Sequence, residues 1–365
     1  MAERRIAVDA RPLCHPGTGI YRYTRELLVR MCRLGGQWFL YSAQPYDRLG
    51  LDLPNVEHRV LGVPAALRAG QLALLLVPRW ARQDKVDTFW GPRHQLARLP
   101  DPVRTAVTIH DLVWQDHGET MRFPGRQIEQ FFTPRALARA DSIAVVSQFT
   151  RQRLEHYFPQ YAHKVTVVPG ASMLRDSTRA QAQTGQAAAG DYFLFVGTLE
   201  PRKNLPRLLR AYGRYVVGAS QPYPLKIVGG TGWGGENIAA LVDELGLADH
   251  VQLLGKVDDN TLLSLYAAAY ALLMPSLYEG YGLPVVEALS MGVPVVCSRD
   301  SAMSEVAGSA GLCVDPESET AISEALARIS VDSQLHEDLK KRTAVEIRRY
   351  DWDDSAHKMA DLLLS

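Results

Sequence analysis

Cysteine is scarce: four in 365 residues, Cys14, Cys32, Cys297 and Cys313, with no C-x-x-C pair among them. That argues against a zinc site and against a disulfide framework, and it suits a reducing cytoplasm. Excess charge of one sign is missing as well. Lys plus Arg and Asp plus Glu number 40 each, so no global field draws nucleic acid. Long apolar runs are absent too. The best, residues 72–77, stops at Pro78-Arg79, far short of the roughly 20 residues a membrane span needs. A strand-like segment starts at Ile6, which leaves no room for a signal peptide. What is present is a globular composition, 47% hydrophobic and 22% charged, with length enough for two domains.

Short apolar segments alternate with helix-length ones. Strands are expected at residues 6–9, 38–41, 86–90, 105–109, 143–146 and 165–168. An amphipathic helix is expected over 20–34, with Leu27, Leu28 and Met31 on one face. This alternation predicts a parallel, doubly wound sheet. Residues 175–190 are small and polar and read as a linker. The alternation then restarts at 192–196, 225–228, 251–254, 271–274, 295–297 and 312–314, and a last helix covers 350–365. The chain reads as α/β with two Rossmann-like halves.

The stretch that carries most information is Pro275-Ser276-Leu277-Tyr278-Glu279-Gly280-Tyr281-Gly282-Leu283-Pro284-Val285-Val286-Glu287-Ala288. It leaves a buried strand, turns on two glycines and enters a helix with proline in its first turn. A helix start at the carboxyl ends of parallel strands suits a phosphate. Glu279 and Glu287 flanking it are poor phosphate ligands but good acceptors for sugar hydroxyls. A nucleotide-diphospho-sugar has both parts. Taken singly, Glu287 also reads as a dipole complement and Glu279 as a solvated loop residue. Arg202 and Lys203, in Glu200-Pro201-Arg202-Lys203-Asn204, stand at the carboxyl end of the first strand of the second half. Taken alone, the pair reads either as a solvated surface before a helix or as a diphosphate site, the guanidinium bidentate and the ammonium a point charge.

In the first half, Gly17-Thr18-Gly19 follows the first strand, but Arg22 stands where a dinucleotide fingerprint wants its third glycine. That counts against a nicotinamide or flavin enzyme. Thr108-Ile109-His110-Asp111 ends a buried strand with a His-Asp pair, either a functional imidazole with Asp111 orienting it or a satisfied core histidine with Asp111 capping the next segment. Residues 61–85 are leucine-rich with Arg68, Arg79, Arg82 and Lys85. They read as a core helix or as a segment touching anionic lipid. Asp351-Trp352-Asp353 has the form of a metal motif, yet it opens a helix, where aspartate caps. The loop Gly229–Gly235 reads as a plain strand-to-helix connection.

Glu-x7-Glu inside Pro-Ser-x-x-Glu-Gly-x-Gly-Leu-Pro-x-x-Glu-Ala, with Gly-Thr-Leu-Glu-Pro-Arg-Lys-Asn upstream, resembles the signature of family-4 retaining glycosyltransferases. The resemblance implies the GT-B fold: two Rossmann-like domains facing across a cleft, the acceptor domain at residues 1–172 and the donor domain at 173–349. The final helix, 350–365, would cross back to the first. It implies that Glu287 holds the donor ribose, that Glu279 holds the transferred sugar, and that Arg202 and Lys203 hold the diphosphate. The backbone at Tyr281, Gly282 and Leu283 would join them and Lys256 would border the base. Gly17 and Gly19 would cover the donor phosphates, and His110 would contact the sugar or the acceptor. It further implies retention of configuration without a metal or other cofactor. Gly-Ile-Tyr-Arg-Tyr-Thr-Arg-Glu-Leu and His-Asp-Leu look most like bacterial mannosyl- and related transferases of polysaccharide and O-antigen assembly. The expected donor is therefore GDP-mannose or a GDP-deoxyhexose, then a UDP-hexose. The expected partner is a glycan or lipid-linked saccharide acceptor, in the cytoplasm or at the inner membrane face. A nucleotide-sugar epimerase and a non-catalytic sugar-nucleotide sensor share the architecture.

Overall fold

The computed structural model describes residues 4–62, 70–174, 190–234 and 237–364. Its chain forms two compact units, Met1–Leu112 with Pro124–Gly170 and Asp351–Ser365, and Val113–Phe123 with Ala171–Tyr350. The division at Gly170/Ala171 falls close to the expected boundary at residue 172, with one segment placed differently. Val113–Phe123 lies within the first half in sequence but belongs to the second unit.

The first unit is a seven-stranded sheet in the order β3-β2-β1-β4-β5-β6-β7. Its strands are β1 (Arg5–Asp9), β2 (Gln37–Ser42), β3 (Val56–Val60), β4 (Thr88–Gly91), β5 (Arg104–Ile109), β6 (Ser142–Val145) and β7 (Val165–Val167). All pairings are parallel. Central strands are continuous apolar runs because helices cover both faces, and Ile6, Ala7, Val8, Phe89, Val107 and Ile143 are fully buried. Strand β3 was not expected. Its sequence, Val-Glu-His-Arg-Val, carries charge because it lies at the sheet edge, paired only with β2.

The helix Gly19–Met31 buries Tyr23, Thr24, Leu27, Leu28 and Met31, and it ends three residues before the expected limit. The last helix, Trp352–Leu364, packs against it, burying Trp352, Ala356, Met359 and Leu363. Asp351 caps this helix, its Oδ1 accepting from the Asp353 amide at 2.8 Å, and Asp353 pairs with Arg30 at 2.8 Å. The Asp-x-Asp sequence therefore serves local structure. No described group of three or more His, Cys, Asp or Glu is arranged to hold a metal.

In the 61–85 segment, the helix Gly70–Gln83 turns Val77 and Ala81 inward and leaves Leu75 exposed. Arg68 and the rest of residues 63–69 lie outside the described residues, as does all of the expected linker at 175–190 except Gly190. No described helix is long and apolar enough to cross a membrane.

The second unit is a six-stranded parallel sheet, β10-β9-β8-β11-β12-β13. It comprises β8 (Tyr192–Val196), β9 (Leu225–Val228), β10 (Val251–Gly255), β11 (Ala269–Met274), β12 (Val295–Ser298) and β13 (Gly311–Val314). Phe193, Phe195, Leu208, Tyr212, Ile227 and Leu326 fill its core. In both units the strands run parallel, so the loops leaving their carboxyl ends gather on one edge.

Candidate active site

Strands β8 and β11 are neighbours, so their outgoing loops emerge side by side. Three hydrogen bonds fasten those loops together. The Leu277 amide donates to the Arg202 carbonyl at 2.8 Å, Asn204 Nδ2 to the Pro275 carbonyl at 2.9 Å, and Arg202 Nη1 to the Tyr278 carbonyl at 3.3 Å. Asn204 reaches its position with φ +61°, the left-handed conformation that asparagine tolerates.

This clamp sets Glu279 between two cations. Arg202 Nη1 donates to its Oε2 at 2.6 Å, and Lys203 Nζ donates to its Oε1. Glu200 pairs with the other end of Arg202 at 2.5 Å. Glu200, Lys203 and Glu279 are buried. Burial works against the Glu279 carboxylate, but Arg202 and Lys203 outweigh it and hold its pKa at about 2. Burial also pushes the Lys203 ammonium down and the Glu200 carboxyl up. Glu279 is therefore no solvated loop residue. Nor are Arg202 and Lys203 bare cations, since each already has a carboxylate partner.

Gly282, at φ +99°, starts the helix Leu283–Ser290, whose N-terminus no side chain caps. A side chain there would be strained and would press on Met303. Glu287, one turn along, is buried and accepts from the Tyr266 hydroxyl at 2.9 Å. Tyr281 is a packing residue by its ring, 6.1 Å from that of Tyr350.

A pocket of about 600 Å³ opens where Lys256 follows β10, and its opposite wall is the Gly229–Gly234 loop. That loop is the expected connection from a strand to a helix, here Ile238–Glu244, and it also packs closely on its neighbour. A side chain at Gly229 or Gly232 would collide with the carbonyl oxygens of Gly197 or Leu199, so the glycines let two loops lie in contact. Leu199, Ile227 and Leu253 give the pocket apolar sides. Trp233 Nε1 donates to the Thr120 carbonyl at 3.2 Å, and His117 lies 5.8 Å from Tyr278 ring to ring. These contacts hold the Val113–Phe123 segment to its unit.

In the first unit, Thr18 caps the helix Gly19–Met31 by accepting from the Tyr21 amide at 3.2 Å, and Gly17 takes φ +88°. His110 sits edge-on to Tyr23 with ring centroids 5.1 Å apart. Its Nε2 donates to the Pro92 carbonyl at 2.8 Å. Burial, then the neighbouring His94, lowers its pKa to about 3, so the imidazole is neutral. Nε2 carries its hydrogen, which leaves Nδ1 as an acceptor. Asp111, half-buried, follows directly.

Sequence reasoning missed His94. Its Nε2 accepts from the His110 amide at 2.8 Å, so its Nδ1 donates to Glu129 at 2.9 Å, and Thr133 donates to the same carboxylate oxygen at 2.8 Å. Asp9 and Arg11, also missed, form a buried pair at 2.6 Å. The available signal was position alone: Asp9 ends β1, Arg11 follows it, and His94 follows β4, all at strand carboxyl ends in a parallel sheet.

Comparison with known proteins bears on this geometry. Residues 17–171 match the family described as Glycosyltransferase Family 4, and residues 176–345 that described as Glycosyl transferases group 1. The chain is 31% identical over 379 residues to the O-antigen chain mannosyltransferase B of Escherichia coli, covering 96% of this chain and 97% of the relative. It is 24% identical to the O-antigen chain mannosyltransferase RfbU of Salmonella typhimurium, covering 98% and 99%. The sucrose-phosphate synthase of Thermosynechococcus elongatus has a similar structure, with TM-score 0.75 at 21% identity, covering 99% and 98%.

Proposed function

The chain belongs to glycosyltransferase family 4, with the two parallel-sheet units of the GT-B fold, and within that family of hexose-transferring enzymes we propose a retaining transferase that takes mannose from GDP-mannose. The observation that carries this reading is the clamped pair of loops that gathers Arg202, Lys203 and Glu279 beside an uncapped helix start. The mannosyltransferase relatives support mannose as the sugar. In this reading Arg202 and Lys203 exchange part of their bonding to Glu279 for the donor diphosphate. The released Glu279 then accepts from hydroxyls of the transferred sugar, and Glu287 accepts from the ribose. The base enters the pocket beside Lys256, and the Gly17–Gly19 loop covers the phosphates.

The anomeric C–O bond to phosphate breaks as the bond to the acceptor oxygen forms on the same face. The acceptor's proton passes to the departing phosphate oxygen. Arg202 and Lys203 stabilise the charge that develops there, without a metal. His110 Nδ1 accepts a hydrogen bond from sugar or acceptor, with Asp111 as its orienting neighbour. The acceptor is a glycan or lipid-linked saccharide, met in the cytoplasm or at the inner membrane face.

Titrating GDP, UDP, ADP and dTDP while following the melting temperature tests this, with and without magnesium. GDP should stabilise the chain selectively and to the same extent without magnesium. Arg202→Ala should weaken GDP by about tenfold or more, the loss of one or two charge-assisted bonds. Preference for UDP would move the donor to a UDP-hexose. A magnesium requirement would overturn the metal-free step, and silence from all four nucleotides would overturn the donor site.

A further inference from the structure

The first unit also holds a cation whose side chain has no partner in reach among the described residues. Beyond Gly91 the chain turns through Pro92-Arg93-His94-Gln95. The turn is tight, since a Cβ on Gly91 would stand 2.7 Å from the Gln95 carbonyl oxygen. It is pinned on both sides of Arg93, by His110 Nε2 donating to the Pro92 carbonyl and by the His110 amide donating to His94 Nε2, each at 2.8 Å. Arg93 is half-buried, and its guanidinium makes no hydrogen bond or ion pair among the described residues.

The surrounding charges explain why. Asp9 and Glu129 act on Arg93 through space. Asp9, however, is taken by the Nε and Nη2 atoms of Arg11, and Glu129 by His94 and Thr133. The remaining neighbours are Arg11, His94, neutral His110 and exposed His15, whose pKa is lowered by its own burial and then by Arg93. A guanidinium removed from water without a partner is unfavourable. An oxyanion would fill its planar fork with two parallel bonds.

We propose that Arg93 is an anion-binding residue of the acceptor site, taking bidentately a phosphate or carboxylate group that the acceptor carries. Naming the acceptor rests on the transferase reading above, whereas the anion site stands on the pinned, unpartnered guanidinium alone. The donor's diphosphate is the other source of such an oxyanion, and Arg202 and Lys203 already serve it on the second unit.

Arginine modification by phenylglyoxal on the full chain, read by peptide mass at Arg93 and Arg202, separates these cases. Inorganic phosphate at ten times its dissociation constant should slow modification of Arg93 by about tenfold, from mass action. Exposed Arg348 should be unaffected. GDP should protect Arg202 and leave Arg93 reactive. Unchanged modification of Arg93 in phosphate would overturn the anion site. Protection of Arg93 by GDP would assign its oxyanion to the donor and overturn the acceptor assignment. If GDP protects neither arginine while phosphate protects Arg93, the donor site and the acceptor label fall and the anion site remains.

Discussion

His110 is held neutral by its surroundings, and this makes stability depend on pH with a defined sign. Its folded pKa, about 3, lies below the unfolded value of 6.5, so the folded state binds fewer protons. The stability it confers is complete above pH 6.5 and is lost as pH falls from there towards 3. Glu279 and Glu129, both held at about 2 against 4.5, add a second loss at lower pH. The melting temperature should fall in two stages on acidification, and His110→Gln should shallow the first. His15 and His58 are lowered too, mainly by burial, so a slope remains, while His94 is raised by Glu129 against its burial and opposes it. An identical slope between pH 6.5 and 4.5 in the variant would refute the assignment. Residue chemistry was legible where it is local. Glu279, Glu287, Arg202 and Lys203 stand in short motifs whose spacing announces them. Tyr266, His94 and Glu129 are partners across the fold, and no spacing in the chain marks them. Arg93 was passed over for the same reason, because its distinguishing feature is an absence of partners.

Among the elements, central strands were readable because burial on both faces demands unbroken apolar runs, and β8 and β9 occur at the expected residues. Edge strand β3 was not, because an edge needs no such run. The loop after β9 is the strand-to-helix connection expected, but the reason for its glycines, close contact with a neighbouring loop, could not be read from the chain. Pairing of β12 with β13 brings Cys297 and Cys313 into register. Cys297 is buried and Cys313 exposed. A hydrogen bond from Cys297, partly offset by burial, lowers the Cys313 thiol to about 7, and the same contact pushes Cys297 up. Iodoacetamide should therefore label Cys313 first, with a rate that reaches half its maximum near pH 7. Cys297→Ala should move that midpoint up towards the ordinary thiol range. A midpoint that does not move would show that the register pair leaves the thiol unaltered.

At the scale of the molecule, two parallel-sheet units were legible from the restart of the alternation after residue 190. The excursion of Val113–Phe123 into the second unit was not, since nothing in its composition distinguishes it from a connecting loop. The first unit is discontinuous in sequence and depends on Trp352–Leu364 for its completion. Met359 and Leu363 are fully buried there. Each such side chain contributes about 1.5–3 kcal/mol, against about 5–15 kcal/mol for a whole domain. A chain ending at Tyr350 should lose or strongly lower the calorimetric transition of the first unit while the second melts as before. Two unchanged transitions would show that the helix is dispensable.

The same discontinuity governs how the protein is made. A ribosome delivers every strand of the first sheet early, but the helix that covers it arrives only after the whole of residues 171–350. At ordinary elongation rates that interval is on the order of ten seconds. The first unit must spend it incomplete, with apolar surface open to other nascent chains, and only the arrival of Trp352–Leu364 ends that exposure.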